Sequence, residues 1–267
     1  MKHVKGLDVY TPGLADFLKQ HPWSGNPRLT ADWSRFRNFE AGEAFKELYR
    51  ELERNQHCLC AFCEIELTKT DHQIEHFHPK NPKVSAGAEC DWMFRLDNLL
   101  AACKGGSVSY LNEPHTLQPI RENQSCGQFK KDKVLDEQLL KPSELPASSS
   151  LFRVDQQNGQ MEVDTEHCDQ AQIPVAKAQA TIDLLNLDCR RLRNARRAVI
   201  EALEEEEQVL GLPEIEENEA LQGYEAMARR HLLPGDEDKL QPFFTTRRSF
   251  FGGLAESVLQ QPSQSWI

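Results

Sequence analysis

The amino-acid sequence predicts an α+β chain that is mostly helical, with a small metal-stapled core set among helical segments. Three observations point there. The flanking regions carry apolar residues at three- and four-residue steps, the period of a helix with one buried face. The middle carries a cysteine pair, Cys60 and Cys63, followed at long range by Cys103 and Cys126. Between them lies Ile74-Glu75-His76-Phe77-His78-Pro79-Lys80, an acid beside an imidazole, with Pro79 stiffening the exit.

Composition bounds the function. At 267 residues the chain can bury a real core. Apolar residues make up 39% and charged residues 27%, and no apolar run is long enough to span a membrane. The start, Met1-Lys2-His3-Val4, lacks a hydrophobic signal segment, so the expected home is cytoplasmic with no membrane partner. In that compartment eight cysteines read as metal ligands or core residues rather than disulfides. The formal net charge of -11 argues against a protein that coats nucleic acid by bulk attraction. A nuclease with this charge needs a local basic path or a partner that delivers the substrate.

Three segments follow in order. Residues 1–55 form an N-terminal helical segment: short elements around Pro12, Pro22 and Pro27, then one helix from Arg35 to Asn55 burying Phe36, Phe39, Phe45, Leu48, Tyr49 and Leu52. That helix is expected to pack behind the metal module. Residues 56–141 hold the motifs, and with ten Lys/Arg against twelve Asp/Glu they are nearly neutral. A polar excursion between Cys103 and Cys126, with Gly105-Gly106 and Pro119, reads as a surface loop. Residues 142–267 form a C-terminal helical region suited to partner or nucleic-acid docking. It opens with a linker at 142–150 and a hairpin over 151–163 turning at Asn158-Gly159. A helical stretch over 171–210 follows, then a helix from Glu214 to about Arg230 and a short helix ending near Leu259. The stretch over 171–210 carries Arg190, Arg191, Arg193, Arg196 and Arg197 on one face, for a phosphate backbone, for neighbouring glutamates or for solvent.

Cys60-x-x-Cys63 has the spacing at which a tight turn aims two thiolates at one ion. A closed tetrahedral site needs two more ligands, and Cys103 and Cys126 are the best placed. His57 and Cys58 compete for the first pair and Cys90 for the second. Cys58, Cys90, Cys168 and Cys189 otherwise read as core or incidental residues.

Phosphodiester hydrolysis needs a base for the attacking water, a hold on the phosphate and stabilisation of the departing oxygen. His76 suits the base, because imidazole titrates near neutrality. Glu75 and Asn98, the latter placed at the start of a helix packed by Trp92, offer hard oxygens to a Mg²⁺-like ion. His78, Lys130 and Lys131 are the candidates to contact phosphate. His72 and His115 read as surface residues.

These motifs, together with Asn98-Leu-Leu-Ala-Ala-Cys103 and Cys126-x-x-x-Lys130, resemble the HNH endonuclease family. The resemblance implies a ββα-metal (HNH) core embedded in helices with a four-cysteine zinc staple. It implies structural Zn²⁺ on Cys60, Cys63, Cys103 and Cys126, a catalytic Mg²⁺ or Mn²⁺ on Glu75 and Asn98, and His76 as general base. A narrower likeness, extended by Thr181-Ile-Asp-Leu-Leu-Asn-Leu-Asp-Cys-Arg-Arg-Leu192, is to the HNH proteins that accompany retrons and the Septu antiviral system. That likeness implies an antiphage effector acting on nucleic acid, DNA by default and RNA as the other choice. It implies an ABC-type ATPase as partner, and a retron reverse transcriptase with its msDNA as further partners. Two residues depart from the family pattern: Gly127 stands where many relatives place a metal-binding histidine, and Glu75 replaces the commoner aspartate. The third protein ligand is then open, with water or an inward His78 as choices. The rival reading is a non-catalytic zinc-binding adaptor, with a thiol-redox enzyme as a weaker one.

Overall fold

The computed structural model describes residues 1–21, 31–80, 92–107, 120–214 and 216–260. Cys90, His115, most of the polar excursion and the tail from 261 lie outside the described residues.

Helix α1 (Pro12–Gln20) starts on proline, whose missing N–H costs nothing in a first helical turn. It packs so closely on the next helices that a Cβ at Gly13 would stand 2.7 Å from that of Ala44. The expected helix from Arg35 to Asn55 is instead two, α2 (Ala31–Asn38) and α3 (Glu43–Asn55). Between them Glu40, Ala41 and Gly42 take φ values of 51°, 55° and 88°, which no right-handed helix passes through. The apolar period survives the break because Phe36 on α2 and Leu48 and Leu52 on α3 enter one core. As expected, α3 backs the metal module. Just past its end, the Gln56 amide donates to the Ala101 carbonyl at 2.7 Å and accepts from the Ala101 N–H at 2.9 Å.

Strands β1 (Gln73–His76) and β2 (Leu99–Ala102) pair antiparallel, with Glu75 opposite Leu100 and His76 opposite Leu99. The short helix α4 (Cys126–Lys130) completes a strand–strand–helix unit. Asn98 does not begin a helix: Leu96–Asn98 is a single 3₁₀ turn and the following residues are strand. Leu-Leu-Ala-Ala suits a helix by local preference, but all four residues are buried and pair with β1, so tertiary burial decides.

Residues 142–150 are not a free linker. They form a turn at Pro142–Glu144, bonded to the N-terminal segment through Val4 N–H, and bury Leu145. The hairpin β3 (Phe152–Val154) and β4 (Met161–Val163) stands where the sequence places it, turning through Gly159 at φ 71°. Helix α5 (Thr165–Gln170) is capped by Asp164, which accepts from His167 N–H. The helical stretch over 171–210 is broken into α6 (Val175–Leu184) and α7 (Arg190–Val209), with Asn186 at φ 49° between them. Helices α8 (Glu217–Leu232), α9 (Phe244–Phe251) and α10 (Gly253–Leu259) build a second apolar cluster with Leu203 of α7 and Leu59. Glu64, beside the metal module, joins this cluster to the rest: its carboxylate accepts from Thr245 N–H and hydroxyl and pairs with the Met1 ammonium at 3.2 Å.

Of the α7 arginines, Arg191 and Arg196 are internal ties, while Arg193 and Arg197 are half-buried and paired with carboxylates. Arg193 pairs with Asp188, Arg197 with Glu201, and Arg191 reaches the loop before α4. Arg196 is 1% exposed and donates to Gly159 O, Leu187 O and Asp188 Oδ1. Replacing Arg196 with Met leaves the Gly159 and Leu187 carbonyls short of partners and takes one of two arginines from Asp188. The expected loss is about 3 kcal/mol of unfolding free energy in urea with zinc content unchanged.

Candidate active site and metal centre

Four sulfurs converge at one end of the strand–strand–helix unit. The Sγ atoms of Cys60, Cys63, Cys103 and Cys126 all lie within 4.8 Å of one another and all four residues are buried. Cys63 and Cys103 are 3.6 Å apart and Cys103 and Cys126 3.9 Å apart. A tetrahedron of Zn–S bonds of about 2.3 Å has edges of about 3.8 Å, so the donor set fits zinc. Burial pushes the Cys126 thiol up, so four thiolates can share this space only around a cation. His57 and Cys58 stand outside the cluster; His57 bonds Asp238 instead.

The chain closes this knot with glycine. A Cβ at Gly105 would fall 2.2 Å from Ser125 O, and one at Gly106 2.5 Å from Arg191 Nε. Arg191 donates to Asn123 O and Ser125 Oγ. Burial works against its charge, but the neighbouring Cys63, Cys103, Cys189 and Cys126 outweigh it and hold the guanidinium firmly protonated. It offsets the negative charge that four thiolates leave on a dication. Cys189 sits not on the face of a helix but at the position before α7, with Sγ directed at Asn123 O.

Glu75 and His76 are neighbours on β1 and therefore face opposite ways. Glu75 points to α4. A Cβ at Gly127 would overlap the Glu75 carboxyl at 2.2 Å, so the two departures from the family pattern are one fit: the glycine vacates what the longer acid fills. Lys130, 1% exposed, donates to the carbonyls of His76 and Phe77 and stands 3.4 Å from Glu75 Oε1. Burial raises the Glu75 carboxyl above its ordinary range, against the pull of Lys130. Lys130 is thus an internal brace rather than a surface phosphate contact, whereas Lys131 is exposed.

His76 is 7% exposed, edge-on to Trp33, and its Nε2 bonds the Met93 carbonyl at 2.9 Å. That bond puts the ring proton on Nε2 and leaves the lone pair on Nδ1. Burial lowers its pKa to about 3 in spite of the Met93 bond. Asn98 makes three hydrogen bonds: Oδ1 accepts from His78 N–H at 2.6 Å, and Nδ2 donates to His78 O and Trp92 O. It fastens the strand exit, and its oxygen is already engaged. The His78 ring stacks on Trp92, and Nδ1 bonds Asp136. Among the described residues only the four cysteines form a group of three or more His, Cys, Asp or Glu able to hold a metal.

Three residues near this site carry no signal in the sequence. Lys80 lies over Trp33, close enough to bear on both Glu75 and His76, and burial with Arg37 beside it lowers its pKa. Lys80 is visible along the chain only as the residue after Pro79. Arg37 and Asp136 are remote in sequence and have no motif to mark them. A cavity of about 400 Å³ between the N-terminal residues, the 145–151 loop and α9 shares no lining residue with this site.

A strand–strand–helix unit on a four-cysteine cluster, with an acid–histidine pair on its first strand, is consistent with a ββα-metal core. No family model matches the chain. A protein of Escherichia coli described as "Retron Ec83 putative HNH endonuclease" is 33% identical over 206 residues, covering 70% of this chain and 74% of that protein. One of Vibrio cholerae serotype O1 biovar El Tor, "Retron Vc95 putative HNH endonuclease", is 27% identical over 150 residues, covering 54% and 59%. The chain belongs to this family of retron HNH endonuclease-type proteins. Among the described residues no helix is long and apolar enough to cross a membrane.

Two outcomes are expected. Atomic absorption finds one zinc per chain, and Cys103→Ser lowers it below a tenth while dropping Tm by on the order of 10 °C. The second concerns His76. Its folded pKa of about 3 lies below the ordinary 6.5, so acid protonates it in the unfolded chain first. Stability is full above about pH 6.5 and falls as pH drops towards 3. Between pH 7 and 5 wild type should lose about 2 kcal/mol more than His76→Gln, read by urea unfolding.

Proposed function

We propose that this protein is a metal-dependent endonuclease that hydrolyses phosphodiester bonds of nucleic acid. The carrying observation is His76, neutral and fixed by Met93 with Nδ1 uncommitted, one residue from a carboxylate that faces the opening helix turn of α4. Neutral imidazole at every physiological pH can accept a proton from water. An anionic phosphate beside His76 raises its weak basicity towards the value the task needs.

Glu75 would hold the catalytic Mg²⁺ or Mn²⁺. One carboxylate is a sparse donor set, which suits an ion that keeps its waters and takes the rest of its ligands from phosphate. Bound there, the ion supplies Lewis-acid stabilisation of the phosphoryl and departing oxygens. Asn98, its oxygen engaged by His78 N–H, serves as a brace in this reading rather than the second ligand. Lys80 and Lys131 are proposed as cations that meet phosphate, with His78 as a further contact. Arg191 and Arg196 are tied internally, Arg193 and Arg197 are paired with carboxylates, and the chain is acidic, so most binding energy for nucleic acid comes from elsewhere. The proposed sources are an ABC-type ATPase and, as the retron names of the relatives suggest, a reverse transcriptase with its msDNA. The system is then an antiphage device in the cytoplasm, of which this chain is the cutting effector, on DNA first and RNA second.

One observation favours the adaptor reading: Lys130 already neutralises Glu75. Cleavage assays with Mg²⁺ or Mn²⁺, on DNA and on total RNA, with and without the ATPase, separate the two. The endonuclease reading expects His76→Ala to lose at least about 100-fold in rate with zinc unchanged. Wild type that cuts nothing under any of these conditions, zinc retained, supports the adaptor.

A further inference from the structure

Asp136 lies past α4, in a turn pinned by Leu135 and Leu139, which are 9% and 1% exposed. Its Oδ2 bonds His78 Nδ1. Its Oδ1 is buried and has no hydrogen-bond partner among the described residues. A buried carboxylate oxygen without a partner costs stability, so Asp136 is not explained by folding. Its one bond is to the histidine.

That histidine is held on every side but one. Asn98 takes its backbone N–H and carbonyl, with distances of 2.6 and 2.9 Å. Trp92 covers a ring face, centroids 4.1 Å apart and planes 23° from parallel. Asp136 takes Nδ1. Only Nε2 is left without a described bond, two residues beyond His76 on the same run of chain. A ring so fixed cannot turn to exchange its nitrogens, and a carboxylate at Nδ1 requires the proton there.

We propose that Asp136 is a positioning residue: it fixes the His78 ring with Nδ1–H on its carboxylate, so that Nε2 faces the substrate and grips a phosphoryl oxygen through a proton shared with it. This rests on the endonuclease reading and deepens it, since it names how the phosphate is gripped beside the base. The carboxylate is the acceptor that holds Nδ1–H, and the Trp92 stack fixes the plane in which Nε2 is presented.

The test uses Asp136→Asn, Asp136→Ala, Asp136→Glu and His78→Gln, each checked for zinc content and thermal unfolding. Nitrogen-15 NMR of the histidine rings reads His78 directly. Wild type should show the proton on Nδ1, and Asp136→Ala should move it to Nε2 or release the ring to exchange. Affinity for an uncleaved oligonucleotide, measured in a His76→Ala background with the partner ATPase present, should fall about tenfold in Asp136→Ala and in His78→Gln, with the double variant no worse than either. Asp136→Glu should recover part of the loss and Asp136→Asn less of it, because a carboxylate is the stronger acceptor for Nδ1–H. In cleavage the loss should fall on KM more than on kcat. A His78 tautomer indifferent to Asp136, or additive losses in the double variant, overturns the proposal. If wild type neither binds nor cuts nucleic acid, the endonuclease reading and the phosphate role fall together, while the NMR result still decides whether Asp136 sets the ring.

Discussion

The convergence of four buried cysteine sulfurs, a donor set that fits one zinc ion, is the constraint from which the rest of this structure follows. Cys60 and Cys63 sit on a turn after α3, Cys103 at the end of β2 and Cys126 at the start of α4. These pieces are short: the strands are four residues long and the helix five. Elements so short do not hold a register unaided. The cysteine cluster joins the end of β2 to the start of α4, next to where β1 pairs.

The active-site geometry is a consequence of that placement. Because α4 starts at a ligand, Gly127 falls against β1, and the space its missing side chain leaves is the space Glu75 occupies. Lys130, one helical turn later, threads back to the strand carbonyls and closes the far side. A larger residue at 127 or a shorter acid at 75 would each spoil the arrangement alone, so the two are best seen as one choice. His76 faces the other way, into an aromatic wall built by α2 and the segment before β2, where Met93 fixes its tautomer.

The parts of this picture legible in the sequence are those with a local signature. The spacing of Cys60 and Cys63, the acid–histidine pair, the Asn158-Gly159 turn and the helical period of α7 are all short-range patterns, and the structure brings each to its expected element. The misreadings have a common cause. The breaks at Glu40–Gly42 and Asn186 interrupt helices whose apolar faces continue into the same core, and periodicity cannot see a kink that preserves burial. Leu99–Ala102 prefers a helix locally and becomes a strand by pairing. Charge marks Lys130 for phosphate, yet its ammonium bonds strand carbonyls that only the fold brings near, and of the choices open to the α7 arginines the structure shows pairing with carboxylates and carbonyls. Asp136 and Lys80 gain meaning from neighbours far away or from a bend, and no window along the chain shows them.

Zinc K-edge X-ray absorption on the purified protein tests the central claim most directly. The predicted result is a first shell of four sulfurs at about 2.3 Å, with no nitrogen or oxygen. A shell containing histidine nitrogen, or full occupancy by sulfur that survives the loss of Cys126, would mean that the ion does not join α4 to the strands. The staple would then not be what sets Gly127 against Glu75, and the active-site geometry would need another cause.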